Sequence, residues 1–427
     1  MSKITPFAKT NFRNEEKLFG IKREDRRYHI YIIGKTGMGK TSLLLNMILS
    51  DISSGEGVGV IDPHGDLCET ILDYIPAWRI NDVIYFNPSD TDYPISLNIL
   101  EKTDPSRRHL VVSALISIFR RMWRDFWGPR LEHLFRNTLL ALLDYPGHST
   151  LLSVGRMLSD PKYRERVVRK IKDPIVKAFW EREFAGYHIR LRSEALAPIQ
   201  NKVGQFLTTP LIRNIVAQIK TRIDFRKAMD EGKILICNLS KGKIGEENSS
   251  FLGSLIAIKL QLSAMERVDL PEERRRDFFL YIDEFQNFIS TEIFPDILSE
   301  ARKYRLCLTM AHQYISQLDR SLMEAVFGNV GTIISFRVGI EDAEFLERMF
   351  LPSFSKEDLI NLDRYRIYLR MAINGKSSNP FSAKTLPPLY GFDYQGNREK
   401  IIRVSRQRYA VRREEIEGKI ERWAKGL

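Results

Sequence analysis

The chain has 427 residues, of which 43% are hydrophobic and 28% charged, so it can bury two or three compact units and is too apolar to stay disordered. No apolar run reaches the roughly 18 residues of a membrane span and no signal-peptide pattern opens the chain, so the expectation is a cytoplasmic protein without a transmembrane helix. The formal net charge of +12 points to a polyanion partner, and Cys68, Cys237 and Cys307 lack metal-ligand spacing and read as small core residues in a reducing compartment.

Residues 1–25 are polar and predict an N-terminal arm or short cover. From His29 short apolar strands alternate with helices, the pattern of an α/β fold. The first strand, His29–Ile33, runs into Gly34-Lys35-Thr36-Gly37-Met38-Gly39-Lys40-Thr41, which fits G-x-x-x-x-G-K-[ST] at every fixed position, and a helical run follows from Ser42. Strand, loop and helix are the context this phosphate-binding loop requires. Backbone N–H groups of Gly34, Thr36, Gly37, Met38, Gly39, Lys40, Thr41 and Ser42 would close around the phosphates of ATP or GTP, helped by the helix dipole. Lys40 would neutralise phosphate charge and the Thr41 hydroxyl would ligate Mg²⁺.

The next strand, Gly57–Ile61, ends in Asp62-Pro63-His64-Gly65-Asp66, expected beside the phosphate loop, where a carboxylate could order Mg²⁺ or water. His64 has no second His or Cys at ligand spacing, which favours a turn with a hydrogen-bonded imidazole over a metal site. Val83–Phe86 is a further strand, and residues 87–98 read as loop.

From about 105 the strands stop and helical spacing takes over through Phe206, punctuated by Trp127-Gly128-Pro129, Tyr145-Pro146-Gly147 and Thr209-Pro210. Residues 105–226 carry 23 Lys+Arg against 10 Asp+Glu, a net of +13, so one segment holds the whole basic excess. Confinement of the charge to an inserted all-helical domain is the footprint of a polyanion partner, the plainer alternative being helices whose exposed faces are Lys/Arg-rich. Trp123, Trp127 and Trp180 among its arginines suit either base stacking or packing within the domain, with packing favoured.

Strands resume at Lys233–Cys237, Phe278–Ile282, Arg305–Met310 and Gly331–Phe336, with a long helix, Ser249–Arg267, after the first and a late strand or hairpin at Arg366–Met371. The expected domains are therefore a nucleotide-binding domain in two parts, 26–104 and 227–390, a helical insertion at 105–226, and a basic tail at 391–427 ending in a helix at Glu414–Lys425. The strand Phe278–Ile282 ends in Asp283-Glu284, at the carboxyl end where open sheets meet their ligands. Asp283 would hold Mg²⁺ through water and Glu284 would polarise the attacking water, the mark of a hydrolysing ATPase. Gln313 follows the strand Leu306–Met310 and can contact the γ-phosphate or the water. Arg302 precedes that strand and can reach a neighbouring subunit's γ-phosphate; Arg337 is a second candidate for that role, and a solvated helix face is the plainer reading of Arg302. Lys241-Gly242-Lys243 is a candidate DNA-contacting loop or a plain surface loop.

These motifs resemble the HerA–FtsK superfamily of hexameric DNA pumps, and within it the type IV secretion coupling proteins of the TraG/TraD group. The likeness rests on the phosphate loop, Gly59-Val60-Ile61-Asp62-Pro63-His64-Gly65-Asp66, Trp127-Gly128-Pro129-Arg130-Leu131-Glu132, Asn201-Lys202-Val203-Gly204-Gln205-Phe206-Leu207, Asp283-Glu284-Phe285 and Ala311-His312-Gln313, in the family's order over residues 20–350. The resemblance implies a RecA-like, ATP- and Mg²⁺-dependent ATPase forming a homohexameric ring around DNA gripped by its phosphates. It implies Arg302 as arginine finger and Gln313 as sensor, and a helical domain that meets a relaxase or DNA-processing complex. The usual N-terminal membrane anchor is missing from the pattern, so a peripheral place at the inner membrane would depend on membrane-anchored secretion components. A protein-export or pilus-assembly ATPase with a polypeptide cargo, a HerA-like DNA-processing helicase and a poorly hydrolysing adaptor are the competing readings.

Overall fold

The computed structural model describes residues 4–11, 15–289 and 294–425. Eleven strands make one sheet: β1 (Ile4–Thr10), β2 (Leu18–Lys22), β3 (Ile30–Ile33), β4 (Gly57–Asp62), β5 (Val83–Phe86), β6 (Ile234–Asn238), β7 (Phe278–Ile282), β8 (Leu306–His312), β9 (Thr332–Ser335), β10 (Arg366–Arg370) and β11 (Phe381–Thr385). Their order is β2-β1-β11-β10-β9-β3-β8-β7-β4-β6-β5. From β9 to β5 every pairing is parallel, and from β9 outward through β10, β11, β1 and β2 every pairing is antiparallel. The architecture is thus a mixed α/β fold around a mostly parallel sheet. Strands such as Ile30-Tyr31-Ile32-Ile33 and Phe278-Phe279-Leu280-Tyr281-Ile282 are buried at every position, as parallel strands covered on both faces must be.

The antiparallel wing differs from the sequence reading. Residues read as an arm form the β1–β2 hairpin, with Phe7, Ala8 and Ile21 in the core. Antiparallel strands with one solvated face alternate, so their apolar signal is thin beside that of buried parallel strands. Strand β11 was missed for the same reason, and the helix Arg398–Tyr409 because it buries only Ile401 and Ser405 and so carries a thin apolar stripe. The order of the central strands also corrects one expectation. Strand β4 is not beside the phosphate-loop strand β3, because β8 and β7 lie between them.

The chain divides into two compact units. One comprises residues 1–86, 225–245 and 263–405; the other comprises 87–224, 246–262 and 406–427. The second is larger than the expected insertion, since it takes in the loop from Asn87, most of the helix Glu246–Glu266 and the end of the chain. Its helices include Arg108–Met122, Pro129–Asp144, Leu151–Ser159 and Ile189–Thr208. Asp160 and Asp173 cap helices that begin with proline, each accepting two backbone N–H bonds. Trp123 is buried and stacked on Phe119 at 4.4 Å, and the buried Trp180 donates its indole N–H to the Asn137 carbonyl at 3.3 Å. Both are committed to this unit's core, so neither offers a free face for a base.

In the first unit a fully buried guanidinium ties three elements together. Arg26 donates to Thr5 Oγ1 on β1 at 3.0 Å, to both Asp51 oxygens on the helix Lys40–Ser53 at 2.7 and 2.8 Å, and to Tyr281 Oη on β7 at 2.7 Å. It also lies over the Phe279 ring, 3.7 Å from its centroid. Removing one member of such a set strands the others without water. Arg26→Met should therefore destabilise this unit by about 3–5 kcal/mol, read as a lower urea midpoint, because the Asp51 carboxylate is left buried and unpaired.

Candidate functional site

Parallel strands bring their carboxyl ends to one edge of the sheet, and the chemistry-bearing residues gather there. The phosphate loop leaves β3 with Gly34 N–H bonded to the His312 carbonyl at 3.3 Å and Lys35 N–H to the Arg337 carbonyl at 2.8 Å. The loop is thus strung between the ends of β8 and β9. Gly37 and Gly39 hold φ of 79° and 118°, which L side chains rarely adopt. A Cβ at Gly39 would also lie 2.7 Å from the Tyr365 ring. Glycine is required there by backbone geometry and by space.

Lys40 opens the helix Lys40–Ser53 and is buried, its Nζ donating to the Gly34 carbonyl at 2.5 Å. Burial lowers its pKa, opposed by the nearby Glu284 and Asp283 carboxylates. The next residue, Thr41, is exposed. Across the edge, Asp283 and Glu284 follow β7 and are both buried. Burial pushes the Asp283 carboxyl up to about 7, reinforced by the negative charges of Asp62 and Glu284 and only partly countered by Lys40.

Strand β8 lies between β3 and β7, and Gln313 directly follows it. Its amide oxygen accepts from Thr36 Oγ1 of the phosphate loop at 3.0 Å, and its amide N–H donates to Glu284 Oε1 at 2.5 Å. The other Glu284 oxygen accepts from Gln286 Nε2 at 2.9 Å. Glu284 itself stands in the left-handed region, φ 47° and ψ 53°, a conformation that costs a non-glycine residue energy and is held here by its surroundings. Behind Gln313, His312 is buried, with Nδ1 3.0 Å from Tyr31 Oη, and burial holds the imidazole neutral by lowering its pKa to about 3.

Asp62 neighbours Asp283 through the β4–β7 pairing rather than the phosphate loop, and Asp283 N–H bonds to the Ile61 carbonyl at 3.1 Å. Its two oxygens accept the backbone N–H groups of His64 at 2.8 Å and Cys68 at 3.1 Å, which fixes the turn into the helix Asp66–Tyr74. That engagement makes Asp62 a turn anchor with a charge felt by Asp283. The His64 side chain is exposed. Lys243 sits in a short helix, Lys241–Ile244, and pairs with Glu69 at 2.7 Å. Arg337 lies at the loop edge, where its carbonyl holds Lys35. Arg302 lies at the opposite edge, in the turn that precedes β8, exposed and with its guanidinium 4.0 Å from the centroid of the Tyr28 ring. It has no path to the phosphate loop of its own chain.

Sequence reasoning missed Gln286, Tyr28 and Tyr365. Gln286 was within reach, two residues past Glu284, but a glutamine after Asp-Glu-Phe carries no motif. The aromatic partners of Arg302 and Gly39 come from distant chain positions that only the strand order brings near.

Residues 19–348 match the model of a family described as the type IV secretion-system coupling protein DNA-binding domain. Among solved structures, the bacterial conjugative coupling protein TrwBdeltaN70 in its unbound form aligns over 93% of this chain and 96% of its own, at 16% identity and TM-score 0.64. The plasmid coupling protein TrwB in complex with ADP and Mg²⁺ aligns over 90% of this chain and 96% of its own, at 17% identity and TM-score 0.61. VirB4 of Thermoanaerobacter pseudethanolicus aligns over 91% and 97%, at 14% identity and TM-score 0.62. At these identities the likeness is one of fold. No curated protein sequence matches the chain.

The crowding of Asp283 gives a measurable consequence. Its folded-state pKa of about 7 lies above the ordinary 3.8, so the folded protein holds a proton that the unfolded chain releases, and stability falls as pH rises between those values. Asp283→Asn should raise the melting temperature of the nucleotide-free protein by several degrees at pH 8. The gain should shrink steadily as pH falls below about 7 and vanish only below the ordinary value of 3.8, where the carboxyl is neutral in both the folded and the unfolded chain, as followed by calorimetry across pH.

Proposed function

This chain belongs to the type IV secretion-system coupling protein family, and from that premise we propose that it is an ATP-hydrolysing motor that moves DNA as a ring of like subunits.

 

In that motor the loop from Gly34 to Ser42 wraps the nucleotide phosphates, Lys40 pairs with them, and Glu284 takes the proton of the attacking water. The observation that carries the reading is the hydrogen-bonded chain from Thr36 through Gln313 to Glu284, which joins the phosphate loop to a carboxylate at the edge that also holds Lys40 and Asp283.

The residues fit Mg²⁺–ATP. Among the described residues Lys40 is a buried ammonium bonded to the backbone carbonyls of Gly34 and Lys35, which suits an incoming anion, and Asp283 is a buried carboxyl crowded by two others, which suits a cation. Thr41 and Asp283 would hold Mg²⁺, whose contribution is to offset phosphate charge. Among the described residues no group of three or more His, Cys, Asp and Glu could hold a metal ion alone. That agrees with Mg²⁺, which keeps several waters and takes phosphate oxygens in place of a protein cage. Arg302 faces away from its own loop, so as a trans-acting cation it would serve a neighbouring copy and require an oligomer, a hexamer by resemblance.

DNA as cargo draws support from the net charge of +13 on residues 105–226, a surface suited to phosphates without base readout. Among the described residues no helix is long and apolar enough to cross a membrane.

Turnover measured with no DNA, single strands and duplex, alongside mass in solution, tests the proposal. DNA should stimulate hydrolysis, and the stimulation should fall steeply between about 50 and 200 mM salt. Lys40→Ala should lower turnover by roughly 100-fold or more while DNA binding changes little. Indifference to DNA would move the reading to a polypeptide cargo, and full turnover by a monomer would remove Arg302 from the mechanism.

A further inference from the structure

We infer that Gln286 is a positioning residue for Glu284, the side chain that keeps the carboxylate aimed while Gln313 attends to the phosphate. The inference rests on the reading of Glu284 as the group that activates water. It begins from an asymmetry between the two amides that hold this carboxylate. Gln313 is shared: its N–H donates to Glu284 Oε1 while its carbonyl oxygen accepts from Thr36 of the phosphate loop. Any nucleotide that engages the loop acts on that partner, so the Gln313 bond to Glu284 is conditional on the state of the loop. Gln286 donates to the other oxygen, Oε2, at 2.9 Å, and its backbone belongs to a different element.

That element is built to stay in place. Glu284 turns the chain through a left-handed conformation, and the 3-10 turn Phe285–Asn287 follows at once. Asn287 N–H bonds to the Glu284 carbonyl at 3.0 Å and Phe288 N–H to the Phe285 carbonyl at 3.0 Å. Phe285 is fully buried, with its ring centroid 5.1 Å from that of His312 and 6.1 Å from that of Tyr31. The turn is therefore pinned to β3 and β8 through its aromatic residue, and it presents the Gln286 amide from a fixed base. A glutamate has three side-chain torsions, and one amide at each oxygen removes most of that freedom. With only the shared amide left, the carboxylate would lose its aim whenever the loop rearranges, and misplacement of a general base lowers turnover more than binding.

Three variants in the full-length protein test this. Gln286→Met keeps the side chain's size and removes the donor; Gln286→Glu keeps its shape and opposes Glu284 with a like charge; Glu284→Gln is the reference for the underlying reading. Each is measured for kcat and KM in ATP hydrolysis with DNA present, for affinity towards a non-hydrolysable ATP analogue, and for thermal melting. The expected result is a fall in kcat on the order of 10-fold for Gln286→Met and a larger fall for Gln286→Glu, with KM, analogue affinity and melting temperature within about 2-fold or a few degrees of wild type. Wild-type kcat in Gln286→Met overturns the inference, as does a rise in KM that accounts for the whole loss. If Glu284→Gln retains full turnover, the reading of Glu284 falls, and that outcome is distinct from one in which Glu284→Gln is inactive and Gln286→Met is not.

Discussion

The position of β8 between β3 and β7 is the constraint on which the candidate site depends. Neighbouring strands lie about 4.8 Å apart, so one inserted strand separates the phosphate loop from Asp283 and Glu284 by roughly 10 Å. That gap is wide enough for phosphate and water, and too wide for the loop and the carboxylates to touch directly. Whatever follows β8 must span it. Gln313 does so with a donor and an acceptor in one side chain, reaching Glu284 with the first and Thr36 with the second. A carboxylate or an ammonium in its place would meet only half of that requirement.

Burial of like charge at this edge is the second feature. Asp62 and Glu284 lie close enough to Asp283 to hold its carboxyl up, with the buried Lys40 as the opposing charge. The fold limits the cost at one of the three, since Asp62 spends both oxygens on backbone N–H groups and so closes a turn. Asp283 receives one such bond, from Glu284 N–H at 3.1 Å, and its elevated pKa records the imbalance. Sites that handle charged ligands are where such imbalance is expected. Stability is recovered elsewhere in the same unit, through the Arg26 network and the apolar parallel strands.

Most of the parallel sheet was legible in the sequence, because strands buried on both faces read as unbroken apolar runs bounded by loops. The phosphate loop and Asp283-Glu284 were legible for a related reason: their chemistry needs particular residues at particular spacings. The antiparallel wing was not. In β1 only Phe7 and Ala8 are deeply buried among apolar residues, too few to register against a polar background. Strand order was beyond reach as well, and with it the true neighbour of Asp62 and the partners of Gln313. Adjacency in a sheet depends on which crossovers pack, a property of the whole chain that no local pattern encodes.

Arg302 and Arg337 show why edge matters more than proximity in sequence. Both follow or precede strands of the same sheet, yet parallel pairing sends them to opposite ends: Arg337 to the phosphate loop and Arg302 to the amino edge beside Tyr28. An exposed guanidinium on an aromatic face keeps its charge and donors while losing some of its rotamer freedom. On the proposed reading, that places a pre-oriented cation where its own chain has no phosphate to meet. A subunit built this way carries the acceptor half of a site on one edge and a donor for another site on the other. Fast hydrolysis would then be a property of the interface between copies, and a lone chain would bind nucleotide without completing the charge stabilisation that the reaction needs.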